Sequence, residues 1–252
     1  MPDYRQYCPV ARAAEIVADR WTPLILRELL AGSSHFNDIE RGLPGISRSL
    51  LAARLRLLED AGVLVRRRGP QRNVSHYDLT DAGRDLHQVI DRLGAWGVRW
   101  AFGEPNPQEL DPVLLLWKMH QRIRRDRVPP HRTVIEFDFR GRCGRRLWLV
   151  LEPREISVCL KPPGFDSDLI VTADLSDFYR VWLGFLDYGV ALRSGAIRID
   201  GAPALARDFP RWLMWSPMAQ HVRSEQARSR PPRLLKTPTS SSASRPRRHD
   251  PH

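Results

Sequence analysis

The chain is poor in cysteine, almost empty of lysine and free of long apolar runs. Its three cysteines, Cys8, Cys143 and Cys159, are spread over 252 residues. An odd number so far apart excludes a disulfide framework, and a reducing compartment is expected. No stretch approaches the ~20 apolar residues that a membrane-spanning helix needs. The first residues show no basic-then-apolar leader pattern, so the expected location is cytoplasmic. Catalytic signatures are missing as well. There is no G-x-G-x-x-G, P-loop, G-x-S-x-G, C-x-x-C or H-x-E-x-x-H. The eight histidines are scattered, and a solvated loop and helix caps account for Asp166, Asp168, Asp174 and Asp177. No enzyme, cofactor or metal site is expected. Lysine occurs only at 118, 161 and 236, so arginine makes up the rest of the 40 basic residues, a bias that a GC-rich genome also produces. The net charge of +11 favours a polyanionic partner.

What the chain has in abundance is concentrated between Leu43 and Tyr77. A Pro44-Gly45 turn leads to Ser47, a good helix N-cap, and Gly62 is a good stop. At about 100° per residue, Leu50, Leu51, Leu55, Leu57, Leu58 and Ala61 share one side of the helix between them. Arg48, Ser49, Ala52, Ala53, Arg56 and Glu59 share the other. Small residues let a helix sink into the major groove, and arginine reads guanine edges or holds phosphates. Arg54 lies inside the apolar stripe and is expected to lay its stem on the core and find a carboxylate. Upstream, Ser34 to Arg41 reads as a short helix with Phe36 and Ile39 inward, joined through a Gly-containing turn. That is a helix-turn-helix pattern. Downstream, Val63–Arg68 and Val74–Leu79 are strand-like runs around Gly69-Pro70. From Arg41 to Arg72 there are eight arginines against Glu59 and Asp60, a local net of +6 (8 − 2). A winged helix-turn-helix is expected, with double-stranded DNA as partner. Ser47, Arg48, Ser49, Ala52 and Arg56 would contact the groove, and Arg66, Arg67, Arg68, Arg72 and His76 the backbone.

Helices are also expected over 9–19, 22–31 and from Thr80 to about Phe102. The last carries Leu86, Val89, Ile90, Leu93, Trp96 and Trp100 at helical spacing. A long apolar stripe trailing a compact reader outruns the surface of its own domain, so Leu86, Ile90, Leu93, Trp96 and Trp100 are expected to meet a second copy. Residues 1–103 form the reader and 104–110 the linker.

The segments CPVARAAEIVADRWTPLILRELLAG, HFNDIERGLPGISRSLLAARLRLLEDAGVLVRR and HYDLTDAGRDL resemble the HxlR-type bacterial transcriptional regulators. The landmarks are Cys8-Pro9, Arg20-Trp21, Phe36, Ile46-Ser47, Gly62 and Leu79-Thr80-x-x-Gly83. The resemblance implies a homodimer on a roughly palindromic operator. It also implies a candidate redox sensor at Cys8, because some members use a cysteine at this place to sense oxidants or electrophiles. Cys8 precedes Pro9 at a helix start, where a helix dipole favours a thiolate.

Residues 111–222 read as a helix from Asp111-Pro112 to about Arg125, four strands, a helix over about Leu175–Leu186, a strand and a helix, so the fold class is α+β. This order, and LRSGAIRIDGAPALARDFPRWL in particular, resembles the sterol-carrier-protein-2-like (SCP2) fold, with Ala202 where an acidic residue is usual. The resemblance implies an apolar tunnel for a small-molecule effector. Trp117, Trp148, Phe178, Trp182, Phe185 and Trp212 are its candidate lining, with Trp215 nearby. The alternative function is a carrier of lipids or other hydrophobic ligands, or a protein-interaction module without specific DNA binding. Residues 223–252 are rich in Pro, Ser, Thr and Arg and are expected to form a disordered basic tail.

Overall fold

The computed structural model describes residues 4–68 and 75–228. Arg72, expected to contact the DNA backbone, and the part of the expected basic tail beyond residue 228 lie outside the described residues.

The first unit runs α1 (Pro9–Val17), α2 (Thr22–Leu30), α3 (Phe36–Arg41), α4 (Arg48–Asp60), β1 (Leu64–Arg68), β2 (Ser75–Leu79) and α5 (Asp81–Trp100). Local chemistry sets the boundaries. Ser47 Oγ accepts from the Leu50 amide at 3.3 Å and starts α4. Gly62 adopts φ +71° just after α4, a conformation that glycine takes without strain. Thr80 joins three elements: its Oγ1 accepts from the Gly83 amide at 3.2 Å and donates to the Gly62 carbonyl at 2.7 Å. A Cβ at position 83 would overlap the Val63 carbonyl, so glycine is required there for α5 to lie against the start of β1. Ile25, Leu26, Ile39, Leu51, Leu55, Leu58 and Tyr77 form the core of this first unit. Full burial of an aliphatic side chain contributes about 1.5–3 kcal/mol.

The second unit begins at α6 (Pro112–His120) and holds β3 (Thr133–Arg140), β4 (Arg146–Leu151), β5 (Ile156–Cys159), β6 (Leu169–Asp174) and β7 (Ile197–Gly201). The sheet order is β5-β4-β3-β6-β7. β3 and β6 pair in parallel and the other neighbours are antiparallel. Four helices complete it: α7 (Leu175–Leu183), α8 (Tyr188–Ser194), α9 (Pro203–Trp212) and α10 (Ala219–Gln226). One sheet face, with Ile135, Phe137, Leu149 and Val171, packs against α6, α7 and α9. The opposite face carries a smaller cluster of Val134, Trp148 and Val150.

Three boundaries differ from the sequence expectation. The helix expected through Leu186 stops at Gly184, which has φ +87° and packs against Ala219. Asp187 then caps the separate α8 by accepting from the Val190 amide. The helix expected to run to about Arg125 ends at His120, and Arg124 N instead donates to the Trp212 carbonyl. Beyond residue 222, the expected start of disorder, α10 continues to Gln226. Ala219 and Val222 are buried and α10 packs on α5 and α7. Two well-placed small apolar residues suffice when a ready-made helical surface receives them.

Candidate nucleic-acid interface

The outward side of α4 presents Ser47, Arg48, Ser49 and Arg56 to solvent, with Ala52 half-buried between them. The expected groove face is therefore one continuous surface. Its arginines are not equally free. Arg48 is paired with Glu40, donates to Asn37 Oδ1 at 3.2 Å and stands 4.8 Å over the Phe36 ring. Arg48 is thus held against α3 and aimed by it. Arg56 is exposed, and its only described bond is Nε to the Ala52 carbonyl at 3.3 Å. Arg54 behaves as its position in the stripe demands, bonding Asp19 at 2.6 Å with 22% of its side chain exposed.

On the wing, Arg66 Nε donates to Ser75 Oγ at 2.9 Å and Arg67 pairs with Asp78 at 3.2 Å. Arg68 is exposed. His76 is half-buried, its ring 4.1 Å from that of His35. The Tyr77 amide donates to the Ser34 carbonyl at 2.8 Å. His76 and Tyr77 therefore lie where the wing meets the start of α3.

The expected subunit face of α5 divides in two. Leu86 and Ile90 turn inward onto the reader core. Val89, Leu93 and Trp96 are about half exposed, at 50%, 51% and 50%. Trp100 is half-buried with Arg99 4.7 Å over its ring. Cys8, at the N-cap of α1, is half-buried, and Cys8, Cys143 and Cys159 are all free thiols.

The six expected effector-lining aromatics do not converge. Phe178, Trp182 and Trp212 are buried in the main core, where Phe178 meets Phe139 at 5.3 Å and Phe137 at 6.0 Å edge-on. Trp148 lies on the opposite face of the sheet, because side chains alternate along β4. Trp117 faces the first unit beneath Arg41, and the Phe185 ring lies tilted 5.8 Å from that of Phe102. A cavity of about 240 Å³ opens elsewhere, between Leu110, Arg140, Cys143, Asp174 and Ser176.

Sequence reasoning missed a polar joint between the two units. Glu28 on α2 is fully buried. It is paired with Arg27 at 2.9 Å and with Lys118 of α6. Gln121 donates to Ser33 Oγ at 2.8 Å and to Glu28 at 3.4 Å. Burial pulls the Lys118 pKa down to about 8, against the opposing pull of Glu28. The visible sign was charge inside each of two apolar helices, Arg27-Glu28 in TPLILRELL and Lys118 in PVLLLWKMH. Among the described residues no cluster of His, Cys, Asp or Glu fits a metal ion, and no helix is long and apolar enough to cross a membrane.

The HxlR-like helix-turn-helix family matches residues 16–104. The uncharacterized HTH-type transcriptional regulator YvaP of Bacillus subtilis is 37% identical over 97 residues, 38% of this chain and 90% of that relative. The chain belongs to the HxlR-like helix-turn-helix family. A second relative, the uncharacterized HTH-type transcriptional regulator Mb3122 of Mycobacterium bovis, is 45% identical over 91 residues, 35% of this chain and 56% of its own length. Among solved structures, the reduced form of the transcriptional regulator YodB from B. subtilis is 32% identical, covering 38% of this chain and 96% of that one with a TM-score of 0.34. The HxlR-like match ends at residue 104, so the five-stranded unit lies wholly outside it.

Proposed function

We propose that this HxlR-like chain is a dimeric transcriptional regulator that reads a roughly palindromic operator. The observation that carries the reading is the outward face of α4, where Arg48, Ser49, Ala52 and Arg56 form a low, basic surface beside the exposed wing arginines. The α4 face would enter the major groove while Arg66, Arg67 and Arg68 hold phosphates. The exposed Val89, Leu93 and Trp96 support a second copy on α5, which would place two readers about one helical turn of DNA apart. Residues 111–222 are read as an SCP2-like module. An apolar effector would enter its core between the sheet and the helices α7 and α9, and so displace the packing around Phe178 and Trp212.

Fluorescence anisotropy on DNA from upstream of the chain's own gene, with scrambled DNA as control and two salt concentrations, tests the reading. A preference of ~10³-fold or more is expected for a site-specific regulator. No binding at low salt removes the reader assignment.

A further inference from the structure

Helix α6 has two faces. Leu115, Leu116 and Met119 enter the core of the second unit. Trp117, Lys118 and Gln121 turn to the reader, where they meet Arg41, Glu28 and Ser33. Glu28 is the centre of this joint. It presses on Gly42, at the start of the turn between α3 and α4, and a Cβ there would run into its carboxylate. Arg27, the other partner of Glu28, also donates to the Gly42 carbonyl at 3.3 Å. The turn that aims the reading helix is therefore held by a buried anion, and α6 supplies a large part of that anion's compensation. A second grip lies on α5. A Cβ on Gly94 would come within 2.5 Å of Met218 Sδ, and His221 pairs with Asp91 at 3.1 Å. The second unit thus holds both the helix-turn-helix and the helix whose apolar face is exposed.

We infer that Lys118 and Gln121 are positioning residues for DNA reading: through Glu28 they fix the turn before α4 relative to α5, and with it the distance between the half-sites the protein accepts. The inference rests on the dimeric DNA-reading proposal above. Its physical basis is that a buried carboxylate deprived of one of its two cations is under-compensated, and takes up a proton or admits water. Either event loosens the turn, while Lys118 and Gln121 lie outside α4 and the wing.

The test uses the full chain, with duplexes selected by the wild type from a random-sequence pool and rebuilt with the half-site spacing changed in single base pairs. Lys118→Met is expected to lose about tenfold or more of the wild-type discrimination between the best spacing and its neighbours. Hydrogen exchange without DNA is expected to speed up by about tenfold over residues 42–47. Adding Glu28→Gln removes the under-compensated charge and is expected to restore both. Gln121→Ala, which leaves the ion pair in place, is expected to shift both in the same direction and serves if Lys118→Met does not fold. An unchanged spacing profile in a folded variant, or unchanged exchange over 42–47, overturns the inference. If the wild type selects no duplex, the DNA-reading proposal fails, and the exchange measurement still shows whether α6 holds the turn.

Discussion

Arg54 and Arg56 stand two residues apart on α4, yet replacing each by methionine should produce opposite phenotypes. Arg54 bonds Asp19 at 2.6 Å, with side-chain exposures of 22% and 35%, and its Nε is buried. A hydrogen bond to a charged group contributes about 1.5–3 kcal/mol when buried, and partial exposure brings this pair to about 1 kcal/mol. For a chain of this size that is a drop in Tm of about 2–4 °C. Methionine retains the apolar stem, so lost packing adds little. The salt slope of DNA binding should not move, because Arg54 is engaged with Asp19 and faces away from the groove surface. Arg56 is exposed and has no carboxylate partner among the described residues. Its loss should leave Tm unchanged and weaken operator binding by about 1–3 kcal/mol if it reads a base. If it neutralises a phosphate, the slope of log K against log salt should fall by about 0.9. Anisotropy titrations at four salt concentrations, with a thermal melt of each variant, give both readings. The reasoning is refuted if Arg54→Met changes the slope at constant Tm, or if Arg56→Met binds the operator like the wild type.

Leu93→Glu or Trp96→Glu should give a monomer by light scattering with weakened operator affinity, since both residues lie on the exposed side of α5; a dimer of unchanged affinity counts against that face. Gly83→Ala should destabilise the reader by about 1–3 kcal/mol in chemical denaturation, because a Cβ meets the Val63 carbonyl and the backbone must shift; a stability equal to wild type would show that the contact yields freely. Stability should also respond to alkaline pH in two stages. Lys118 titrates near pH 8 when folded, below its ordinary 10.5, so the unfolded chain binds more protons between these values and stability rises with pH there. Burial raises Tyr179 and Tyr188 to about 12 from 10. Above pH 10 the folded chain therefore binds more protons and stability falls. Lys118→Met should flatten the rise between pH 8 and 10 in urea midpoints, and a rise that persists in the variant refutes this account.

The reader was legible because its constraints are local. Ser47, Gly62 and Thr80 each announce a helix boundary through a bond or a backbone angle within a few residues, and the leucine stripe of α4 follows one helical period. The strands of the second unit were legible for the same reason, since alternation marks β3 and β6. What failed was the statement that needed several distant elements of the second unit at once. The aromatics of the second unit looked like one lining, yet Trp148 and Phe178 lie on opposite sides of the sheet. Composition supplies aromatic rings, and only the strand order decides which face each one joins.

The same limit explains why the joint between the units went unread. A helix that is apolar on nearly every side must be covered on nearly every side. The run Val113 to Trp117 therefore already required a second surface beyond the core of its own domain. Glu28 carried the complementary requirement, because a charge embedded among Ile25, Leu26 and Leu29 is tolerated only with a partner. Each residue stated half of a contact, and 89 intervening residues hid which half belonged to which. Lys118 is one of only three lysines in a chain whose other cations are arginines. An ammonium group is compact, and it reaches Glu28 from α6 while Gln121 from the next turn takes the second carboxylate oxygen. A guanidinium at 118 would need room for a planar fork that Arg27 already occupies beside the same carboxylate. The scarce residue type thus stands where the geometry demands it.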